Sequence, residues 1–210
     1  MTIAILCENE TKQEILRKGI NPGIDIYWVD SLSALVMMEA DAWFDLQFRN
    51  DPERNQQLKS LKNLFVGSNE LTCDELQFSC FRINDWPGMI NRSIVEVAAA
   101  DETDKSTAEK ILAAMGWHFE WTPDLPGFIS NRVIAGIVNE AYHTFEAGTS
   151  SKEEIDTAMK LGTNYPYGPF EWSQKIGLNR ILSLLQEISH KDERYTPSAA
   201  LINDIHESDS

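Results

Sequence analysis

Asp124-Leu125-Pro126-Gly127-Phe128-Ile129-Ser130-Asn131-Arg132 is where this 210-residue chain changes character. A Pro-Gly turn leads into a run in which Ile129, Val133, Ile137, Val138, Ala141 and Phe145 recur at helical spacing up to Gly148. That spacing predicts a long amphipathic helix. Everything downstream reads as helix too. Ser151-Lys152-Glu153-Glu154 has the form of a capping box, in which a Ser and a Glu three residues apart satisfy each other's free amides. Pro166, Gly168 and Pro169 make a rigid turn, and Gly177 separates two further helical stretches. The acidic end, Glu207–Ser210, is expected to be disordered.

Working back from this point, the pattern is different. Ile3–Leu6, Ile24–Val29, Ala42–Phe48, Leu64–Val66, Phe78–Ile83 and Ile94–Val97 are short apolar runs with the composition of strands. Between them lie helix-like stretches: Gln13–Lys18 before Gly19, one capped by Ser31, one opened by Asp51-Pro52, and Lys105–Met115 before Gly116. Alternating strands and helices indicate an α/β layer with a mostly parallel sheet. Two domains follow, a Rossmann-like α/β domain over residues 1–122 and an all-α domain over residues 123–210.

The formal net charge is −15, and six Trp in a chain that is 42% hydrophobic suit a packed core. An acidic surface repels phosphate backbones and anionic lipid, so neither nucleic acid nor membrane is an expected partner. Cys7, Cys73 and Cys80 form no Cys-x-x-Cys pattern and are expected to be free thiols in a cytoplasmic protein. The four histidines, His118, His143, His190 and His206, are too scattered for a metal site, and none is expected.

Three stretches of the helical half, Asp124–Arg132, Ile155-Asp156 through Gly162, and Pro166–Glu171, resemble in order and spacing the C-terminal domain of 3-hydroxyacyl-CoA dehydrogenases, including the 3-hydroxybutyryl-CoA dehydrogenases. Upstream the resemblance is weaker but collinear. Ala40–Leu46 is similar to a strand of the family's cofactor domain, Leu64–Asn69 to the strand and turn that introduce a catalytic serine, and Ser93–Val97 to the strand that carries a catalytic glutamate. The resemblance implies a shortened dinucleotide-binding half. It also implies that the missing parts are the second strand, with its ribose-binding acid, and a helical hairpin that contacts CoA.

The family's reaction moves a hydride between C3 of an acyl-CoA and NAD. It needs a Gly-rich phosphate loop, a His–Glu pair, a Ser and an Asn. By position, the resemblance assigns Glu96, Asn131 and Ser68 to the catalytic set, as vestiges. The loop after Leu6 is Cys7-Glu8-Asn9-Glu10-Thr11-Lys12, with no glycine before Gly19. A phosphate cradle needs glycines there so that backbone N–H groups can approach. Glu8 and Glu10 would oppose a pyrophosphate, at about 1 kcal/mol per like-charge contact in water and about 4 near a protein surface. Asp30 has the place of a ribose-binding acid, but it reads as a capping or solvated residue once the loop is gone. The family's His falls at Asn84, and no His precedes His118. Asn cannot accept the proton.

No cofactor is therefore expected, although the family uses NAD. The reading is a family member without dehydrogenase activity, acting as a homodimeric binding or assembly protein through its helical domain, with an acyl-CoA or related small molecule as a candidate ligand. An alternative is an active NAD-dependent 3-hydroxyacyl-CoA dehydrogenase with an atypical site. A third is another enzyme built around Glu96, Asp85, Ser68 and Asn131.

Overall fold

The computed structural model describes residues 1–100 and 102–208. It divides into two units, Met1–Phe128 and Ile129–Ser210.

The first unit alternates strand and helix from its first residue. Its elements are β1 (Thr2–Leu6), α1 (Asn9–Lys18), β2 (Asp25–Val29), α2 (Leu32–Met37), β3 (Ala42–Asp45), α3 (Pro52–Leu58), β4 (Leu64–Val66), α4 (Cys73–Leu76), β5 (Phe81–Ile83), β6 (Ile94–Ala98), α5 (Glu102–Met115) and β7 (His118–Trp121). The strands form one sheet in the order β2-β1-β3-β4-β5-β6-β7. Every pairing is parallel except β5 with β6.

Parallel strands covered on both faces read as unbroken apolar runs, and period 2 sends alternate residues to opposite sides. Ile3 and Ile5 accordingly join Phe44, Phe65, Val95 and Val97 beneath α5, while Ala4 and Leu6 join Leu64 and Val66 beneath Leu35 and Leu58 of α2 and α3. Phe44 and Phe65 stack with ring centroids 4.4 Å apart.

Two sequence expectations change here. The second strand is not missing: Asp25–Val29 pairs with β1 along its whole length, from Thr2 with Asp25 to Leu6 with Val29. The shortening of this half has not removed it. Second, Phe78, Ser79 and Cys80 are not strand, because β5 begins only at Phe81.

The second unit holds α6 (Phe128–Glu146), α7 (Lys152–Thr163), α8 (Pro169–Ile176), α9 (Leu178–Ser189), a 3-10 turn at Glu193–Tyr195 and α10 (Ala199–Ser208). The capping box forms: Ser151 accepts from Glu154 N and the Glu154 carboxylate accepts from Ser151 N. Two of the matched stretches, Ile155–Gly162 and Pro166–Glu171, meet in one local arrangement. Asp156 of α7 is buried, and its carboxylate accepts from Phe170 N and Glu171 N at the start of α8. Glu171 accepts from Gly168 N and pairs with Lys160. A Cβ on Gly168 would lie 2.4 Å from the Asp156 carboxylate, so the turn needs glycine for close approach.

The face α6 buries is shifted from the expected stripe. Ile134, Ala135, Val138, Ala141 and Tyr142 are buried, whereas Ile129 and Val133 are 58% and 53% exposed. Glu207 and Ser208 belong to α10, so the disorder expected from Glu207 onward does not hold for these two; residues 209–210 lie outside the described residues. Among the described residues, no helix is long and apolar enough to cross a membrane.

Candidate active site

In doubly wound sheets, ligands sit beyond the carboxyl ends of the strands where the strand order reverses. Here that place lies beyond β1 and β3. Only Cys7 and Glu8 separate β1 from α1, and Glu8 caps the helix without a side-chain hydrogen bond. At the end of β3, Asp45 is fully buried, and Arg54 of α3 grips it through Nε at 2.9 Å and Nη2 at 2.5 Å. Burial pushes the Asp45 carboxyl above its ordinary value, and the Arg54 guanidinium opposes that shift. Asp30 follows β2 directly and is exposed.

The matched carboxylate is Glu96 on β6. Across the antiparallel β5–β6 pair, Asn84 N donates to Glu96 O at 3.0 Å and Asn84 Nδ2 donates to Glu96 Oε2 at 2.7 Å. Asn84 Oδ1 accepts from Trp86 N at 3.3 Å. The Asn84 amide therefore donates to the carboxylate on one side and accepts from the backbone on the other. It has no lone pair of basic character to offer a substrate hydroxyl.

Ser68 is buried on the turn after β4. Its hydroxyl donates to Leu71 O at 3.1 Å, and its carbonyl accepts from Arg82 Nε at 2.9 Å. Asp85 is also buried and accepts from Asn69 Nδ2 at 2.6 Å. Its carboxylate lies so close to Gly67 that a Cβ there would meet Oδ2 at 2.2 Å. Ser68, Asn69, Asn84 and Asp85 thus sit around the ends of β4 and β5, and Glu96 joins them through Asn84. Asn131 belongs to the second unit, fully buried on α6.

The residue the sequence reading missed is Arg82. It is fully buried on β5, pairs with Asp124 at 2.6 Å, and donates to Ser68 O, Asn69 O and Leu125 O. Its guanidinium lies 4.7 Å from the Phe128 ring centroid. An arginine inside the apolar run Phe78–Ile83 was the available signal, since a buried charge must be paired. This network also explains where the first unit ends. Cys73 N donates to Asp124 and Gly127 N to Asn69 O, tying the segment after Pro123 to the sheet as far as Phe128.

Glu14 Oε1 accepts from Gly88 N at 2.6 Å, while Glu14 Oε2 and Trp86 Nε1 are buried with no hydrogen-bond partner among the described residues. Among the described residues, no group of three or more His, Cys, Asp or Glu could hold a metal ion.

Comparison with known proteins places this geometry. The family described as 3-hydroxyacyl-CoA dehydrogenase, C-terminal domain, matches residues 127–208. The chain is 39% identical over 117 residues to the 3-hydroxyadipyl-CoA dehydrogenase of Escherichia coli (strain K12), covering 54% of this chain and 25% of that protein. It is 33% identical over 122 residues to the 3-hydroxybutyryl-CoA dehydrogenase of Bradyrhizobium diazoefficiens, covering 57% and 42%. The chain thus spans well under half the length of these curated relatives.

Among solved structures, the (S)-3-hydroxybutyryl-CoA dehydrogenase from Ralstonia eutropha shares the fold with a TM-score of 0.75 at 17% identity, covering 99% of this chain and 94% of that one. The 3-hydroxybutyryl-CoA dehydrogenase from Escherichia coli K12 is 33% identical, with a TM-score of 0.58 over 67% of this chain and 31% of its own. Over residues 127–208, the chain matches the C-terminal domain of 3-hydroxyacyl-CoA dehydrogenases.

Proposed function

We propose that this protein is a 3-hydroxyacyl-CoA dehydrogenase family member that does not transfer a hydride and works as a homodimeric binding or assembly protein. The observation that carries the reading is the Asn84–Glu96 pair, in which an amide holds the glutamate where the family's chemistry calls for an imidazole. Losing a positioned base costs about 10²–10⁴ in rate.

The dinucleotide would supply the hydride acceptor, and the β1–α1 turn does not fit it. Side chains rather than glycines stand at Cys7 and Glu8, a carboxylate at Glu8 would oppose a pyrophosphate in that turn, and Asp45, paired with Leu6 across the sheet, is already engaged by Arg54.

The homodimer rests on the helical unit. Ile129 and Val133 lie one turn apart on α6 and leave an apolar patch exposed. A twofold, self-complementary contact through such a patch is the commonest way for a chain of this size to cover it. An acyl-CoA or a related thioester is the candidate ligand, by analogy with the named substrates of the relatives.

A second reading, an active NAD-dependent 3-hydroxyacyl-CoA dehydrogenase, draws on the retained Glu96 and on a sheet that keeps β2 beside β1. Following NADH absorbance with acetoacetyl-CoA separates the two. The proposal expects no consumption above the uncatalysed rate. Turnover that disappears in Glu96→Gln would establish the second reading instead.

A further inference from the structure

The first unit holds three free cysteines, and nothing in the proposed function uses them. Cys7 stands alone on the β1–α1 turn, where burial pushes its thiol up to about 11. Cys73 and Cys80 are a pair. Cys73 opens α4 and Cys80 immediately precedes β5, and the chain between them reverses at Gln77, whose backbone is left-handed with φ at 59°. That reversal brings Cys73 Sγ within 3.6 Å of Cys80 O, so the Cys73 thiol lies against the Cys80 backbone.

A disulfide requires side chains that face one another across a short separation. With the Cys73 sulfur already against Cys80, a change of side-chain rotamer can bring the two sulfurs together with little backbone movement. Both cysteines are buried, yet both border one surface hollow of about 340 Å³, together with Gln77, Ser79 and Ala99. The hollow is large enough to admit a molecule the size of hydrogen peroxide beside both residues.

We propose that Cys73 and Cys80 are an oxidation site, at which a small peroxide converts the two thiols into an intramolecular disulfide that locks the turn between α4 and β5. One thiolate attacks the peroxide O–O bond, which breaks to leave a sulfenic acid and, after proton uptake, a water. The second sulfur then attacks the sulfenic sulfur and expels its oxygen as a second water. Two thiols and one hydrogen peroxide give one disulfide and two waters. The sulfurs lose two electrons, and the peroxide oxygens gain them.

The hydrogen bond with Cys73 and burial both push the Cys80 thiol well above its ordinary range, against the opposing pull of Arg82. The crosslink would bear on the network already described. Cys73 N donates to Asp124, which pairs with Arg82, and Arg82 holds the carbonyls of Ser68 and Asn69.

Peptide mapping of the full chain tests the proposal. No Lys or Arg lies between Asn63 and Phe81, so trypsin leaves both cysteines in the single peptide Asn63–Arg82. The folded, reduced chain is exposed to hydrogen peroxide, alkylated and digested. The expected result is that peptide lighter by two hydrogens and carrying no alkyl group, with Cys7 still alkylated. Dithiothreitol before alkylation restores two alkyl groups to it, and Cys80→Ser abolishes the loss of two hydrogens. Two alkyl groups on the peptide after peroxide, a disulfide involving Cys7, or added oxygens in place of the lost hydrogens would overturn the proposal. The wild-type map decides the matter even if the variant does not fold, and it is independent of the dehydrogenase question.

Discussion

Asn84 and Glu96 show how one residue changes what a strand pair can do. The β5–β6 pairing sets their backbones side by side, and the amide then meets the carboxylate at 2.7 Å. Asn84→His puts an imidazole next to Glu96, which is the arrangement a general base needs. Because the cofactor turn is unchanged in that variant, it is expected to remain without NADH-dependent reduction of acetoacetyl-CoA. Activity appearing in Asn84→His alone would mean that the base, and not the cofactor turn, is the limiting defect.

Asp45 gives a pH-dependent test at the same scale. Its carboxyl is raised by burial, so the folded chain binds its proton more readily than the unfolded chain does. Its contribution to stability therefore falls as pH rises from the ordinary carboxylate value through the raised one. Arg54→Met strands the buried carboxylate and is expected to cost about 3–5 kcal/mol at neutral pH. The cost should shrink at acidic pH, where the carboxyl protonates. Urea unfolding at the two pH values checks this, and an equal loss at both would contradict it.

Gly67→Ala is expected to destabilise by about 1–3 kcal/mol, because its Cβ would displace the Asp85 carboxylate from Asn69. A melting temperature equal to wild type would argue against that contact.

At the scale of elements, what the sequence makes legible is what local chemistry controls. Ser151 and Glu154 announce their helix because both partners lie within one turn. Asp156 announces nothing, although it caps α8 from another helix across a long separation in sequence. Asp156→Ala leaves two amides at the start of α8 without their acceptor and is expected to lower stability by about 1–3 kcal/mol. Denaturant titration reads this directly, and an unchanged midpoint would sink the capping account. The apolar stripe of α6 runs through Ile129 and Val133, which this chain leaves exposed. Helical spacing shows which apolar residues share a face, not whether the chain itself covers that face. Arg82 was missed because its partners, Asp124 and three carbonyls, are set by the fold and not by spacing.

At the scale of the whole molecule, the change from α/β to all-α was plain from periodicity. The absence of glycine after β1 was equally plain, and together these bear most of the functional reading. The second strand was undervalued because its family role hangs on an acid and a loop. Its place in the sheet hangs only on an apolar, β-branched run, which Asp25–Val29 still has. Assembly belongs to this scale as well. Light scattering at micromolar concentration is expected to give the mass of a homodimer, and Val133→Asp is expected to shift it to monomer. A wild-type monomer at that concentration would remove the assembly half of the proposal.

The most direct test of the central claim is a calorimetric titration of NADH, and separately NAD, into the full chain. The account expects heats no larger than dilution for both. A saturable isotherm, together with acetoacetyl-CoA reduction that Glu96→Gln abolishes, would contradict it.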